Sequence, residues 1–220
     1  MSPKRIGILA VVAMLAGAGL LIGLYLSLFI TREPPTVLVR SSAPRRAQLT
    51  LQTVAAIGHG PTPDWVSYYV RKDQGRWEHS TIFHLPAHSL VTVTVYQYDT
   101  GTGLRNPLWS QPRGLVGNTM SVDGKPYKSL DPDKASHTFT VPGLGVSVPL
   151  KGVADDAPNQ CSTAPCAASK AHTTIRFTFR TRAPGKFRWQ CFVPCAAGFI
   201  LGFGGPMQTI GYMDGELVVS

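Results

Sequence analysis

No charged side chain occurs between residues 6 and 30, and no other feature constrains the chain more. At about 1.5 Å per residue, a helix over this stretch crosses a hydrocarbon core of about 30 Å with room for tilt. Met1-Ser2-Pro3-Lys4-Arg5 precedes it, and Thr31-Arg32-Glu33-Pro34-Pro35 ends it. A cleaved signal sequence carries a shorter apolar run, about 7–15 residues, closed by a small-x-small site. Tyr25-Leu26-Ser27-Leu28-Phe29 is a poor match to such a site. The expectation is an uncleaved anchor over residues 6–30 with a cytoplasmic tail over residues 1–5. Lys4 and Arg5 favour that orientation, whereas Arg32, Arg40, Arg45 and Arg46 weigh against it. A short tail ahead of a long domain behaves as a signal anchor. The expected placement is therefore single-pass in the cell membrane, with the C-terminal domain on the extracytoplasmic side.

Past the anchor, a linker is expected over residues 31–47, marked by Pro34-Pro35 and by arginines. Alternation at period two then dominates. Val91, Val93 and Val95 share one face, with Thr92, Thr94 and Tyr96 opposite. His137, Phe139 and Val141 alternate with Thr138 and Thr140. Ile175, Phe177 and Phe179 alternate with Arg176, Thr178 and Arg180, and Phe187, Trp189 and Cys191 with Lys186, Arg188 and Gln190. The 22 glycines and 18 prolines supply turns between short strands. These patterns predict an all-β sandwich or barrel over residues 48–220. Two long irregular insertions, residues 99–133 and 151–171, interrupt it; loops of this length commonly carry function or dock on a partner.

Lysine and arginine outnumber acidic residues 21 to 12, a net charge of +9. The positives form no run longer than Arg45-Arg46 and no stripe interleaved with aromatics, so nucleic acid is not an expected partner. A basic surface near anionic lipid or polymer is the simpler reading. No Gly-x-Ser-x-Gly, His-Glu-x-x-His, P-loop or Gly-x-Gly-x-x-Gly occurs, which removes the common hydrolytic and nucleotide-binding classes. No independent enzyme active site is expected; the chain could serve as one subunit of an oxidoreductase.

The four cysteines form two local pairs. Cys161 and Cys166 lie in a polar Pro/Ala/Ser loop; outside the cytosol such a pair reads as a small disulfide loop. The second pair is Cys191-Phe192-Val193-Pro194-Cys195, at the end of an expected strand, while His137 begins another. Two thiolates and an imidazole make a soft donor set suited to copper or zinc. On spacing alone, a second disulfide beside a core histidine is the plainer outcome.

The residues around these three positions add to this. Ser136-His137-Thr138-Phe139-Thr140-Val141-Pro142-Gly143-Leu144-Gly145 resembles the region of the first copper ligand in cytochrome c oxidase subunit II. Pro184-Gly185-Lys186-Phe187-Arg188-Trp189-Gln190-Cys191-Phe192-Val193-Pro194-Cys195 is similar to that family's Pro-Gly-x-(Phe/Tyr)-x-x-Gln-Cys-x-x-x-Cys segment. Order, direction and strand context agree over residues 137–195, with a long insertion between the two blocks. The resemblance implies a cupredoxin β-sandwich on a membrane anchor. It also implies a copper site made by His137, Cys191, Cys195 and the backbone carbonyl of Val193. The family's magnesium-serving glutamate is absent at Val193. Its second histidine and its methionine fall on Phe199 and Gly202 here. Met207 could replace the methionine if the loop is longer, with Met213 a weaker choice. A second imidazole would come from His84, His88, His172 or a partner chain. The Asp64-Trp65-Val66-Ser67-Tyr68-Tyr69 segment is loosely similar to the aromatics through which the family receives electrons, although core or interface packing is the better account of it.

Three functions follow from the resemblance. One is a copper-binding electron-transfer or oxidase-associated subunit, meeting other respiratory-complex subunits or a redox protein. Another is a Cu(I) delivery protein. The third is a metal-free cupredoxin that joins Cys191 to Cys195 and docks on a respiratory membrane complex through the apolar loop of residues 198–206.

Overall fold

The computed structural model describes residues 2–27, 33–39, 41–57, 65–72, 75–195 and 205–220. It divides into two units, Met1–Glu33 and Pro34–Ser220.

The first unit is built on helix α1, Pro3–Tyr25. Ser2 precedes it in extended conformation and Pro3 takes the first helical position, where its fixed φ suits the helix and its missing N–H is no loss. Its apolar side chains are exposed all round, with Leu15 and Leu21 at 68%. The mean hydropathy over the best 18 residues is 2.5, so the helix is long and apolar enough to cross a membrane. Relative to the expected span of residues 6–30, it starts earlier and takes in Lys4 and Arg5; residues 28–30 lie outside the described residues.

The second unit is all-β. Its strands are β1 (Val37–Leu38), β2 (Ser41–Ala43), β3 (Arg46–Val54), β4 (Ser67–Arg71), β5 (Trp77–Glu78), β6 (Ile82–Leu85) and β7 (Leu90–Gln97). They continue with β8 (Met120–Val122), β9 (Lys125–Tyr127), β10 (Ala135–Val141), β11 (Val146–Lys151), β12 (Thr173–Arg180), β13 (Gly185–Gln190) and β14 (Asp214–Val219). One sheet has the order β1-β6-β14-β13-β10-β11. The other runs β5-β4-β3-β7-β12-β8-β9, with β2 paired to β3. The expected linker is thus not a free tether. Within residues 31–47, β1 pairs with β6, β2 forms a hairpin with β3, and β3 has already begun. Pro34-Pro35 marks the start of this unit, and Val37, Val39 and Ala47 after it carry buried side chains. The insertion over residues 99–133 likewise holds the β8–β9 hairpin, which extends the second sheet through β12.

Alternation sets the core. Along β7 every second residue, Val91, Val93, Val95 and Gln97, is buried, and β12 repeats the pattern with Ile175, Phe177 and Phe179. These meet Phe139, Trp189 and Leu217 of the other sheet in one cluster. Trp189 is its centre. It stacks on Phe139 at 4.9 Å and Phe83 at 5.6 Å, takes the Tyr68 ring edge-on at 4.9 Å, and donates Nε1–H to the Thr81 carbonyl at 2.9 Å. The strand β10 departs from the expected pattern, because all seven of its residues are buried. The Thr140 hydroxyl donates to Thr138 Oγ1 at 3.0 Å, so these polar residues are satisfied without reaching solvent.

A smaller cluster lies on the opposite side of the second sheet, where Tyr69 points as its neighbour Tyr68 enters the main core. It joins Val54, Tyr69, Tyr98 and Cys166. Cys161 and Cys166 are disulfide-bonded, and the Cys166 N–H donates to Gln52 Oε1 at 2.6 Å, fastening the second insertion to β3.

Candidate metal centre

The end of β7, the start of β10 and the end of β13 meet at one place. His137 is the third residue of β10, directly after a register shift against β11 between Ala135 and His137. A bulge of this kind turns side chains out of strict alternation, and the His137 ring is fully buried. Strand β13 ends at Gln190, so Cys191 stands where the next ladder residue would be. Its sulfur accepts the Thr138 N–H at 3.3 Å, and the following Phe192 N–H donates to Thr138 Oγ1 at 2.8 Å. The Cys191 N–H is tied to the Met213 carbonyl at 2.9 Å. One backbone N–H therefore holds the sulfur directly, and two more fix the chain that carries it.

Around it lie the other expected donors. His137 Nδ1 is 3.9 Å from Cys191 Sγ, Cys195 Sγ is 3.5 Å from Cys191 Sγ, and the Val193 carbonyl oxygen is 3.4 Å from Cys191 Sγ. Met207 Sδ is 3.2 Å from Cys195 Sγ. Met207 sits in a single 3-10 turn, Pro206–Gln208, and its carbonyl accepts Gln190 Nε2. The donor atoms of His137, Cys191 and Cys195 all lie within 4.8 Å of one another. Both cysteines are free thiols, so the second disulfide that spacing alone favoured does not form. Phe199 and Gly202, where the resemblance would have put two further ligands, lie outside the described residues, as do all of residues 196–204.

The candidate second imidazoles do not join the group. His84 Nε2 pairs with Ser220 Oγ at 2.6 Å, and His172 Nδ1 lies 2.7 Å from the Lys170 carbonyl beside Tyr96 and Tyr98. Among the described residues, His137 is the sole imidazole of the cluster. Met213 is a fully buried core residue that serves the site through its carbonyl. Of the aromatic segment, Tyr68 enters the core and donates its hydroxyl to the Thr138 carbonyl at 3.4 Å, while Trp65 packs on Tyr212 at 4.9 Å.

One site residue was not legible in the sequence. Asp99, two residues past β7, places Oδ2 3.1 Å from His137 Nε2. It lies at the start of an irregular insertion, and no motif distinguishes it there from other loop aspartates.

The charges form a relay. Burial acts against a charged imidazole, but the hydrogen bonds and charges of Asp99 and Cys191 outweigh it and raise His137 to about 9. Burial also opposes ionisation of Cys191. Hydrogen bonds from Cys195 and His137, the imidazolium charge and the Thr138 N–H overcome this and hold the thiol well below its usual value. The Cys195 thiol is pushed far up, because it donates to Cys191 and is itself buried. Desolvation of Asp99 is likewise outweighed by His137 and the Thr100 N–H, and its carboxyl is lowered. The shifts are mutually consistent: they favour carboxylate at Asp99, imidazolium at His137, thiolate at Cys191 and thiol at Cys195. An entering cation would displace the protons of His137 Nδ1 and Cys195 Sγ.

No protein-family model matches the chain, and no curated protein matches it by sequence. Among solved structures, it is similar to the copper protein rusticyanin at 14% identity, over 84% of this chain and 82% of that one, with a TM-score of 0.35. Against rusticyanin from Thiobacillus ferrooxidans the identity is 13%, over 90% and 92% of the two chains, again with a TM-score of 0.35. A superposition this loose does not align individual ligands, so the donor set stands on its own distances.

Proposed function

We propose that the protein is a membrane-anchored copper-binding electron-transfer protein. In this reading a cupredoxin-like sandwich, resembling cytochrome c oxidase subunit II in its copper region, is held by α1 at the extracytoplasmic face of the cell membrane. One observation carries it: His137, Cys191, Val193, Cys195 and Met207, spread over 71 positions of sequence, bring an imidazole, two sulfhydryls, a carbonyl and a thioether to one place. The donor chemistry fits copper. Thiolate and thioether ligands select Cu(I), and a thioether has little use in a zinc site. When bound, copper would supply a one-electron couple through its thiolate bonds.

The residues do the rest. Cys191 is 1% exposed and His137 fully buried, and backbone bonds fix the first sulfur. Donors that do not move between charge states keep the reorganisation accompanying electron transfer small. The disulfide Cys161–Cys166 favours an oxidising compartment. On this reading the partners are respiratory-complex subunits or a redox protein beside the membrane.

A second reading, Cu(I) delivery, is favoured by the one imidazole that the cluster holds among the described residues and by Cys195, which is only partly buried. Both readings face one experiment. The full chain, purified in detergent and reduced, is loaded with copper, and its metal content and visible and near-infrared absorption are measured. Stoichiometric copper with a thiolate-to-copper band that returns on each oxidation supports electron transfer. Copper held only as colourless Cu(I) supports delivery. No copper, with Cys191→Ser unchanged in metal content, overturns both.

A further inference from the structure

The orientation of the His137 ring is fixed by a group outside the donor set. From the geometry we infer that Asp99 is a positioning residue, which fixes His137 with Nε2 protonated and Nδ1 turned to the sulfurs; the inference rests on the copper reading above. A carboxylate can only accept a hydrogen bond, so Oδ2 at 3.1 Å requires the proton on Nε2. In the neutral ring the lone pair is then on Nδ1, the nitrogen 3.9 Å from Cys191 Sγ. The ring is fully buried, so no solvent molecule competes to stabilise the other tautomer.

Asp99 is itself held. Its Oδ1 accepts the Thr100 N–H at 2.8 Å, and its carbonyl accepts the Val153 N–H at 2.9 Å and Gln97 Nε2 at 3.4 Å. It is delivered by β7 in the second sheet, whereas His137 stands on β10 in the first. The contact is a strut between the two sheets at the metal end. An outer partner of this kind changes metal affinity by about 10–100-fold when removed.

The test uses the full chain in detergent, with Cu(I) affinity measured against a competing chelator and the ring nitrogens of His137 read by 15N NMR of the Cu(I)-loaded protein. Asp99→Ala is expected to bind Cu(I) about 10–100-fold more weakly and to lose the single Nδ1-bound, Nε2-protonated signature. Asp99→Asn, whose amide oxygen can still accept from Nε2–H, is expected to stay within about threefold of wild type and keep that signature. Wild-type affinity and ring signature in Asp99→Ala would overturn the inference alone. So would an Asp99→Asn protein that folds yet binds as weakly as Asp99→Ala. A wild-type chain that takes up no copper would overturn the copper reading and this inference together.

Discussion

Met207 Sδ lies 3.2 Å from Cys195 Sγ, although the two residues are 12 apart in sequence. Gln190, directly before Cys191, donates to the Met207 carbonyl. The same segment that presents the first sulfur therefore anchors the thioether.

Replacing Met207 by Leu should separate packing from ligation. Met207 packs against the main core, and a Met-to-Leu exchange in such a place costs less than about 1.5 kcal/mol. The expected outcome is a small shift in the urea midpoint together with at least about tenfold weaker Cu(I) binding, a loss of the size that a single outer partner already causes. Unchanged affinity by chelator competition would remove Met207 from the donor set.

The metal-free protein should show an unusual histidine titration. Its folded value for His137 is raised to about 9 from 6.5, so the stabilisation is complete below about pH 6.5 and is lost as pH rises through about 9. Cys191 has the opposite sign: its lowered value gives stability present above the usual thiol value and lost as pH falls through the folded one. NMR of the His137 ring in the metal-free chain should give a midpoint near 9, and Cys191→Ser should lower it. A midpoint near 6.5 in the wild type would refute the relay.

Gly215 faces Trp189 across the β13–β14 ladder. A Cβ there would stand 2.1 Å from the Thr81 carbonyl oxygen and 2.5 Å from Trp189 Nε1. Gly215→Ala should therefore destabilise the β domain by about 1–3 kcal/mol through overpacking and shift the Trp189 fluorescence. Denaturant unfolding checks the first, and a wild-type midpoint would refute the overpacking.

Cys161→Ser with Cys166→Ser should loosen the second insertion and leave the metal centre intact. The disulfide closes a short loop packed on the smaller cluster, away from the main core, and short loops give modest stabilisation, about 2–3 kcal/mol at most. Faster proteolysis within residues 151–171, with Cu(I) affinity unchanged, is the expected pair of results. Loss of copper binding in the folded double variant would tie the two regions together.

The strands were legible because period-two alternation reports a half-buried sheet, and β7 and β12 follow it residue by residue. It also marked β10, but there both faces are covered and threonines bond to one another, so polarity no longer marks solvent. The short strands β1 and β2 were hidden in a stretch that prolines and arginines made look like a tether. At the site, local motifs pointed to His137, Cys191, Val193 and Cys195, while Met207 needed an assumption about loop length. Asp99 could not be found, since its role depends on a contact between sheets that no local pattern encodes.

Val193 contributes its carbonyl to the sulfur group while its side chain is fully buried in the main core, and Cys191 belongs to that core as well. Spacing among the donors is consequently inherited from how tightly the sandwich is filled. Mutations that open a void near Phe139 or Trp189, distant in sequence and chemically inert, should therefore slacken the grip on an ion as surely as the loss of a ligand.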